Sequence, residues 1–233
     1  MNKESLKSYL IAKGINCSDE QLAGLLDLMK TTLETNEKFN LTAITDESEF
    51  LEKMIYDSAL GLQKFDFNGK KVIDVGTGAG FPGMVLYILN PGMHLTLLDS
   101  TAKKINHLNE YCSLKHYKVE GVAARIEDYA KKNIETYDFA FARAVASLNI
   151  LVELISPLLK VGGVFIALKG KGADEEIKEA SNALRKLNLE IIDTVNETLP
   201  ESNEQRTLIY IRKNKPTPRK YPREYSLIKK LPL

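Results

Sequence analysis

The sequence predicts an α/β fold: a mostly parallel sheet ending in an antiparallel hairpin, preceded by a helical N-terminal extension. Three patterns predict it. After Gly69, short β-rich runs alternate with helical stretches, and strands separated by helices of about 10–15 residues imply βαβ units and a parallel sheet. The last two β-rich runs have no helix between them, so that pair is antiparallel. The first third carries apolar residues at helical spacing instead. A chain of 233 residues, 44% of them hydrophobic, suits one such domain with a small extension.

The elements follow in order. Ser18 or Asp19 can cap a helix through QLAGLLDLMKTTLE, whose Leu22, Leu25, Leu26, Leu28, Met29 and Leu33 share helical spacing. A polar stretch with Asn36 and Asn40 is expected to interrupt it. A second helix is expected from about Glu47 to Leu62. Strands are expected at 71–75, 94–99, 117–122, 137–142 and 163–169, with helices at about 81–89, 101–114, 126–132, 148–160 and 174–187. LEIIDTV (189–195) and RTLIYIR (206–212) form the closing hairpin. The expected organisation is a helical extension over 1–62, a sheet domain over 63–212 and a basic tail over 213–233.

Composition excludes several classes. Cys17 and Cys112 are the only cysteines, which argues against a secreted disulfide framework and for a reduced, cytoplasmic setting. No apolar run approaches the length of a membrane span, and MNKESLKSYL lacks a signal-peptide core. His94, His107, His116 and the cysteines show no metal-ligand spacing, so no metal is expected. The net charge of +1 hides an asymmetry: residues 212–233 carry +7, the rest −6. Such a tail is either a solvated, poorly ordered terminus or an arm that neutralises phosphates.

The chemistry points to one loop. Strand VIDV runs into Gly76-Thr77-Gly78-Ala79-Gly80-Phe81-Pro82-Gly83 and then a helix. Glycines there permit positive φ and close backbone approach, and the helix start offers N–H groups. A ligand edge is expected over this loop, at the carboxyl end of the strand. A dinucleotide fingerprint would need a small residue where Phe81 stands, which disfavours a nicotinamide-dependent oxidoreductase. Asp74-x-Gly76-x-Gly78-x-Gly80 instead resembles the first motif of S-adenosylmethionine-dependent methyltransferases, where the carboxylate organises the loop and the methionine ammonium end. Asp99 closes the next strand, where a carboxylate can accept bonds from ribose hydroxyls. Ile126 and Glu127 lie where adenine usually binds in this fold. The closing hairpin is likewise an arrangement of Rossmann-like methyltransferases. Neither cysteine sits on a loop facing the cofactor, against cytosine-C5 chemistry. Ala142-Arg143-Ala144-Val145-Ala146-Ser147 replaces the Pro-Pro-aromatic motif of adenine-N6 enzymes.

The ordered set DVGTGAGFPG, LLDS-x-x-KK, ARAVASL and ALKG resembles the 16S ribosomal RNA guanine-N7 methyltransferases, the glucose-inhibited division protein B family. Asn36-Glu37-Lys38-Phe39-Asn40-Leu41-Thr42, Tyr56-Asp57-Ser58 and Thr217-Pro218-Arg219-Lys220-Tyr221-Pro222-Arg223 fit it as well. The resemblance covers about residues 35–223. Thr35, Met54 and Glu224-Tyr225-Ser226 depart from the family's usual tryptophan, histidine and more basic continuation.

The resemblance implies a class I methyltransferase that uses S-adenosylmethionine, yields S-adenosylhomocysteine and forms 7-methylguanosine in the 530 loop. Asp74, Gly76, Gly78, Gly80, Phe81, Asp99, Ile126, Glu127 and Arg143 would bind cofactor. Arg143 would also lie near the target base, and Lys169 at the rim of the RNA site. The implied partner is 16S ribosomal RNA or the small subunit, met by a monomer. Asn40 could contact RNA or cap a turn. Lys103-Lys104, Lys169-Lys171 and the tail could meet phosphates. Methyl transfer to another RNA or a protein, and RNA binding without catalysis, are the alternatives.

Overall fold

A computed structural model describes residues 1–233, apart from the side chain of Phe39, so that part of the upstream family segment lies outside the described residues. The sheet has seven strands: β1 (Lys71–Val75), β2 (His94–Asp99), β3 (Val119–Ala123), β4 (Tyr137–Arg143), β5 (Leu159–Lys169), β6 (Leu189–Thr198) and β7 (Gln205–Lys213). Their order is β3-β2-β1-β4-β5-β7-β6. Pairs β1–β2, β2–β3, β1–β4 and β4–β5 are parallel, and β7 runs antiparallel to both β5 and β6. The chain order reverses between β1 and β4, which opens a crevice beyond the carboxyl ends of those strands.

Alternation along the strands splits the core in two. Val72, Leu95, Leu97, Phe139, Phe141, Ile166 and Tyr210 join one apolar cluster. That face is covered by α1 (Lys3–Ala12), α2 (Asp19–Phe39), the helical segment 47–62, α5 (Gly83–Leu89) and α6 (Ala102–Leu114). Ile73, Leu98, Ala140, Phe165, Ile209 and Ile211 join the other, beneath α7 (Ile126–Lys132), α8 (Leu148–Ile155) and α9 (Ala173–Lys186).

Several elements differ from expectation for local reasons. α2 passes Asn36 and ends only at Phe39, because Asn40 takes a left-handed φ of 48° and its N–H bonds the Asn36 carbonyl at 3.1 Å. The Asn36 side chain accepts from the Thr42 N–H at 2.8 Å, beyond the helix end. β3 begins at Val119, not 117, since Tyr117 packs edge-on against Tyr87 and Tyr111. α8 stops at Ile155: Ser156 caps it with helical dihedrals, and Pro157 has no N–H with which to continue the ladder. α1 was legible only as part of a helical first third; it buries Leu6 and Leu10.

Residues 47–62 are helical as expected but are wound unevenly. A short α3 (Glu47–Phe50) passes into a π-helix (Leu51–Tyr56), then α4 (Asp57–Ala59) and a 3-10 turn (Leu60–Leu62). Wide turns of this kind recur at functional sites.

The largest departure is the tail. β7 runs through Lys213, whose fully buried ammonium donates to the Ser156 and Leu159 carbonyls at 3.0 and 2.7 Å. The following segment returns over α8 and forms α10 (Tyr225–Lys230). Tyr221 joins the second core cluster, Ile228 is fully buried, and Arg223 grips the buried Glu153 through Nε (2.8 Å) and Nη2 (2.7 Å). It is a docked segment, not a poorly ordered terminus.

Candidate active site

The glycine loop is built where β1 leaves the sheet. Gly76 has φ +71°, and both its N–H and that of Thr77 donate to the Leu98 carbonyl, at 2.8 and 3.1 Å. A Cβ at Gly76 would stand 2.5 Å from Cγ2 of Val145, so the loop and the segment after β4 are in contact through this position. Asp74 is completely buried. Its Oδ2 accepts from the Thr77 hydroxyl at 2.6 Å and the Gly83 N–H at 2.8 Å, which ties the loop's two ends together. Its Oδ1 has no partner among the described residues. Burial raises its pKa to about 6, against the lowering effect of those two donors.

Asp99, at the end of β2, accepts from the Gly78 N–H at 2.9 Å through Oδ2 and from the Thr101 N–H at 2.8 Å through Oδ1. A cavity of about 1050 Å³ opens over these elements, at the upper end of the roughly 300–1,000 Å³ usual for small-molecule sites. Of the residues expected to bind cofactor or act in catalysis, Gly76, Gly78, Phe81, Asp99, Ile126, Glu127, Arg143 and Lys169 all line it. Asp74 and Gly80 lie outside its lining: Asp74 acts on the loop, and a Cβ on Gly80 would press to 2.8 Å from Leu108. Neither cysteine lines the cavity; both are buried, and burial pushes the Cys112 thiol up to about 11. Among the described residues no group of His, Cys, Asp and Glu is arranged to hold a metal ion.

One end of the cavity carries two guanidiniums, those of Arg143 and Arg206. Arg143, closing β4, donates from Nη1 to the Lys53 carbonyl at 2.8 Å, and its Nη2 lies 3.3 Å from the Met54 sulfur. Both acceptors belong to the π-helix, whose irregular winding leaves carbonyls outside the usual helical ladder. The guanidinium stands 6.0 Å from the centre of the Phe81 ring, itself edge-on to Phe50 at 5.5 Å. Asp57 Oδ2 is 3.5 Å from Arg143 and accepts from Arg206 Nε at 2.9 Å. Burial lowers the Arg143 pKa, and Asp57 followed by Asp74 counter it.

Asp57 stands between the two guanidiniums, and Arg206 also pairs with Glu204 Oε2 at 2.8 Å, so each guanidinium is held by a carboxylate at the edge of the cavity. Sequence patterns did not single out Arg206, and gave Asp57 only as part of a segment. Arg206 and Asp57 are 149 positions apart, and no local periodicity links them. The one available signal was a charged residue at the start of an otherwise apolar strand.

Lys169 is not an exposed rim lysine. Its Nζ is buried and sits 2.7 Å from both the Ala146 carbonyl and Glu176 Oε2. The same Glu176 oxygen accepts from the Leu148 N–H at 2.7 Å. Lys169 and Glu176 together hold residues 144–147, one wall of the cavity. Asn40 is exposed and serves as the left-handed cap of α2. Arg125, Ile126 and Glu127 at the start of α7 line the cavity as well, as does Tyr225 of α10.

Comparison with known proteins decides the family. A family model described as "GidB: rRNA small subunit methyltransferase G" matches residues 21–210. The chain belongs to the GidB family. A Bacillus cereus (strain B4264) relative named ribosomal RNA small subunit methyltransferase G is 41% identical over 237 residues, covering 100% of this chain and 99% of its own. An Alkaliphilus oremlandii relative of the same name is 42% identical over 235 residues, covering 99% and 98%. The fold is that of a SAM dependent methyltransferase from Aquifex aeolicus, with a TM-score of 0.52 and 19% identity over 72% of this chain and 94% of that one. This GidB-family chain thus carries the mostly parallel, Rossmann-like methyltransferase sheet with its closing antiparallel pair. No helix among the described residues is long and apolar enough to cross a membrane.

Proposed function

We propose that the protein transfers a methyl group from S-adenosylmethionine to N7 of a guanine in the 530 loop of 16S ribosomal RNA. Membership of a family described as rRNA small subunit methyltransferases supports the reaction class. The observation that carries the finer reading is the cavity itself: a glycine loop and Asp99 on one side, and Arg143 with Arg206 at the end where a base would enter.

The residues present fit the cofactor. Positive φ at Gly76 and Gly78, both in the cavity lining, brings backbone close to a ligand without side-chain interference. Asp99 offers carboxylate lone pairs at the mouth of the loop, and the unpartnered Asp74 Oδ1 adds buried negative potential beneath it. When bound, the cofactor supplies an electrophilic methyl on a sulfonium.

Guanine N7 already presents an in-plane lone pair, so attack at that atom needs no general base. The cavity lining fits this requirement, with neither histidine nor cysteine in it. What remains is alignment and exclusion of water, effects that can supply about 7–11 kcal/mol. Arg143 is the residue assigned to that task. Held by Lys53 and Asp57, its guanidinium can meet guanine O6 or a phosphate with a fixed fork geometry. Phe81 covers it and Lys169 braces the wall beside it. The reading carries with it a monomeric enzyme in the cytoplasm, where small subunits are assembled.

Incubation with labelled S-adenosylmethionine tests the proposal. Small subunits and naked RNA from cells lacking this gene are the substrates, and the RNA is digested to nucleosides. Label in 7-methylguanosine, lost with Arg143→Ala, is the expected result. Tight cofactor binding with no labelled nucleoside would redirect the substrate to protein or another RNA.

A further inference from the structure

We propose that Tyr225, carried by the C-terminal segment, binds the cofactor by closing the nucleobase end of the cavity. The inference rests on the cofactor reading above and adds to it a residue from outside the sheet domain.

The geometry begins with the path of the chain. Beyond β7 the segment crosses α8, and Glu224, at the head of α10, pairs with Lys131 of α7 at 2.7 Å, one helical turn from Glu127, which brings α10 beside α7. Tyr225, the first residue of α10, lines the cavity together with Arg125, Ile126 and Glu127. In a crevice that receives a nucleoside at the carboxyl edge of β1 and β2, the ribose faces the β2 carboxylate. The base then extends toward α7. Tyr225, beside α7, is therefore at the base end.

The segment is fixed by independent ties, so Tyr225 is preorganised. Arg223, two residues before it, donates to the fully buried Glu153 of α8 from its backbone N–H at 3.0 Å and from its guanidinium at 2.8 and 2.7 Å. Glu224, one residue before it, pairs with Lys131 of α7 at 2.7 Å. Ile228, one turn later, is fully buried. Anchors on α7 and α8 thus bracket a half-buried ring at the edge of the cavity. Fixing a contact residue before binding reduces the entropy lost on association.

An aromatic ring is chemically suited to this place. A purine presents a π face that stacks on tyrosine whatever its edge substituents. The sequence alone left the tail as either a solvated terminus or an arm for phosphates. In the fold, Lys213 is buried and Arg223 is paired with Glu153, so two of its cations have other work.

Titration calorimetry on the full chain tests this, with S-adenosylhomocysteine and adenosine as probes. Tyr225→Ala should weaken both in parallel by about tenfold, the scale of one base–aromatic stack. Tyr225→Phe should recover most of that loss, and Tyr225→Leu, which keeps bulk without a ring, should not. With the methyl-transfer assay, KM for the cofactor should rise by more than kcat falls. If wild type fails to bind S-adenosylhomocysteine, the cofactor reading fails. If wild type binds and Tyr225→Ala or Tyr225→Leu binds equally well, this proposal alone is overturned. Should Tyr225→Ala unfold, the comparison of the Leu and Phe variants decides it.

Discussion

At Asp57, 6% exposed, one carboxylate faces two guanidiniums that are 14% and 17% exposed. Removing the carboxylate's charge leaves Arg143 without an ion-pair partner beside Arg206, which keeps Glu204 at 2.8 Å. We expect Asp57→Asn to cost about 3 kcal/mol, the low end for breaking a buried pair because both arginines border the cavity. Urea unfolding measures it, and adding Arg206→Met should return part of the loss. A second residue-scale prediction concerns Asp74. Its folded pKa, raised by burial to about 6, lies above the unfolded carboxyl value of about 3.9. Between those values the folded state keeps a proton the unfolded state releases, so stability falls as pH rises through about 4–6 and levels off above. A shift of about 2 units corresponds to about 3 kcal/mol. Asp74→Asn should remove that fall, seen as a wild-type-minus-variant difference that shrinks from pH 4 to pH 6. A difference constant with pH would refute the assignment.

Between elements, the tie joining β5, α8 and α9 shapes the cavity wall. Glu176 lies in the first turn of α9 yet accepts from the Leu148 N–H that begins α8, while Lys169 bonds the same oxygen. Glu176→Ala should cost about 1–3 kcal/mol, the range for stranding a buried polar group, and should raise the cofactor KM by loosening residues 144–147. Calorimetry and initial rates on one preparation would check both, and an unchanged KM would mean that the wall holds without the tie. This also shows where sequence legibility ends. The glycine loop and the Asp99 position were readable because one strand–turn–helix unit contains their whole logic. Lys169 was readable as a residue but not as a strut, since its partners lie 23 positions before it and 7 after it, on separate elements. The π-helix left no mark in apolar periodicity, and Tyr221 and Ile228 hid among the prolines and lysines of a tail whose charge dominated its composition.

Across the whole molecule, the fold redistributes the charge that the sequence places at one end. The C-terminal segment contributes Tyr221 to the core and neutralises Glu153, so it belongs to the stability of the sheet domain. Arg223→Met would leave a fully buried carboxylate without its cation. We expect a loss of about 3–5 kcal/mol, or roughly 6–20 °C in Tm for a chain of this size, with Glu153→Gln in the same chain restoring part of it. Deleting residues 214–233 would therefore confound folding with RNA affinity and is a poor test of the basic arm. Lys229 and Lys230 offer a cleaner one. Both are exposed on α10. Their joint replacement by glutamine should leave Tm near that of wild type. If they meet phosphates, the slope of log K against log salt for RNA should flatten by about 1.4–1.8, given roughly 0.7–0.9 per neutralised phosphate. Filter binding across a salt series reads that slope directly. A parallel line for the variant would remove these lysines from the RNA surface and leave the segment as a brace for the fold.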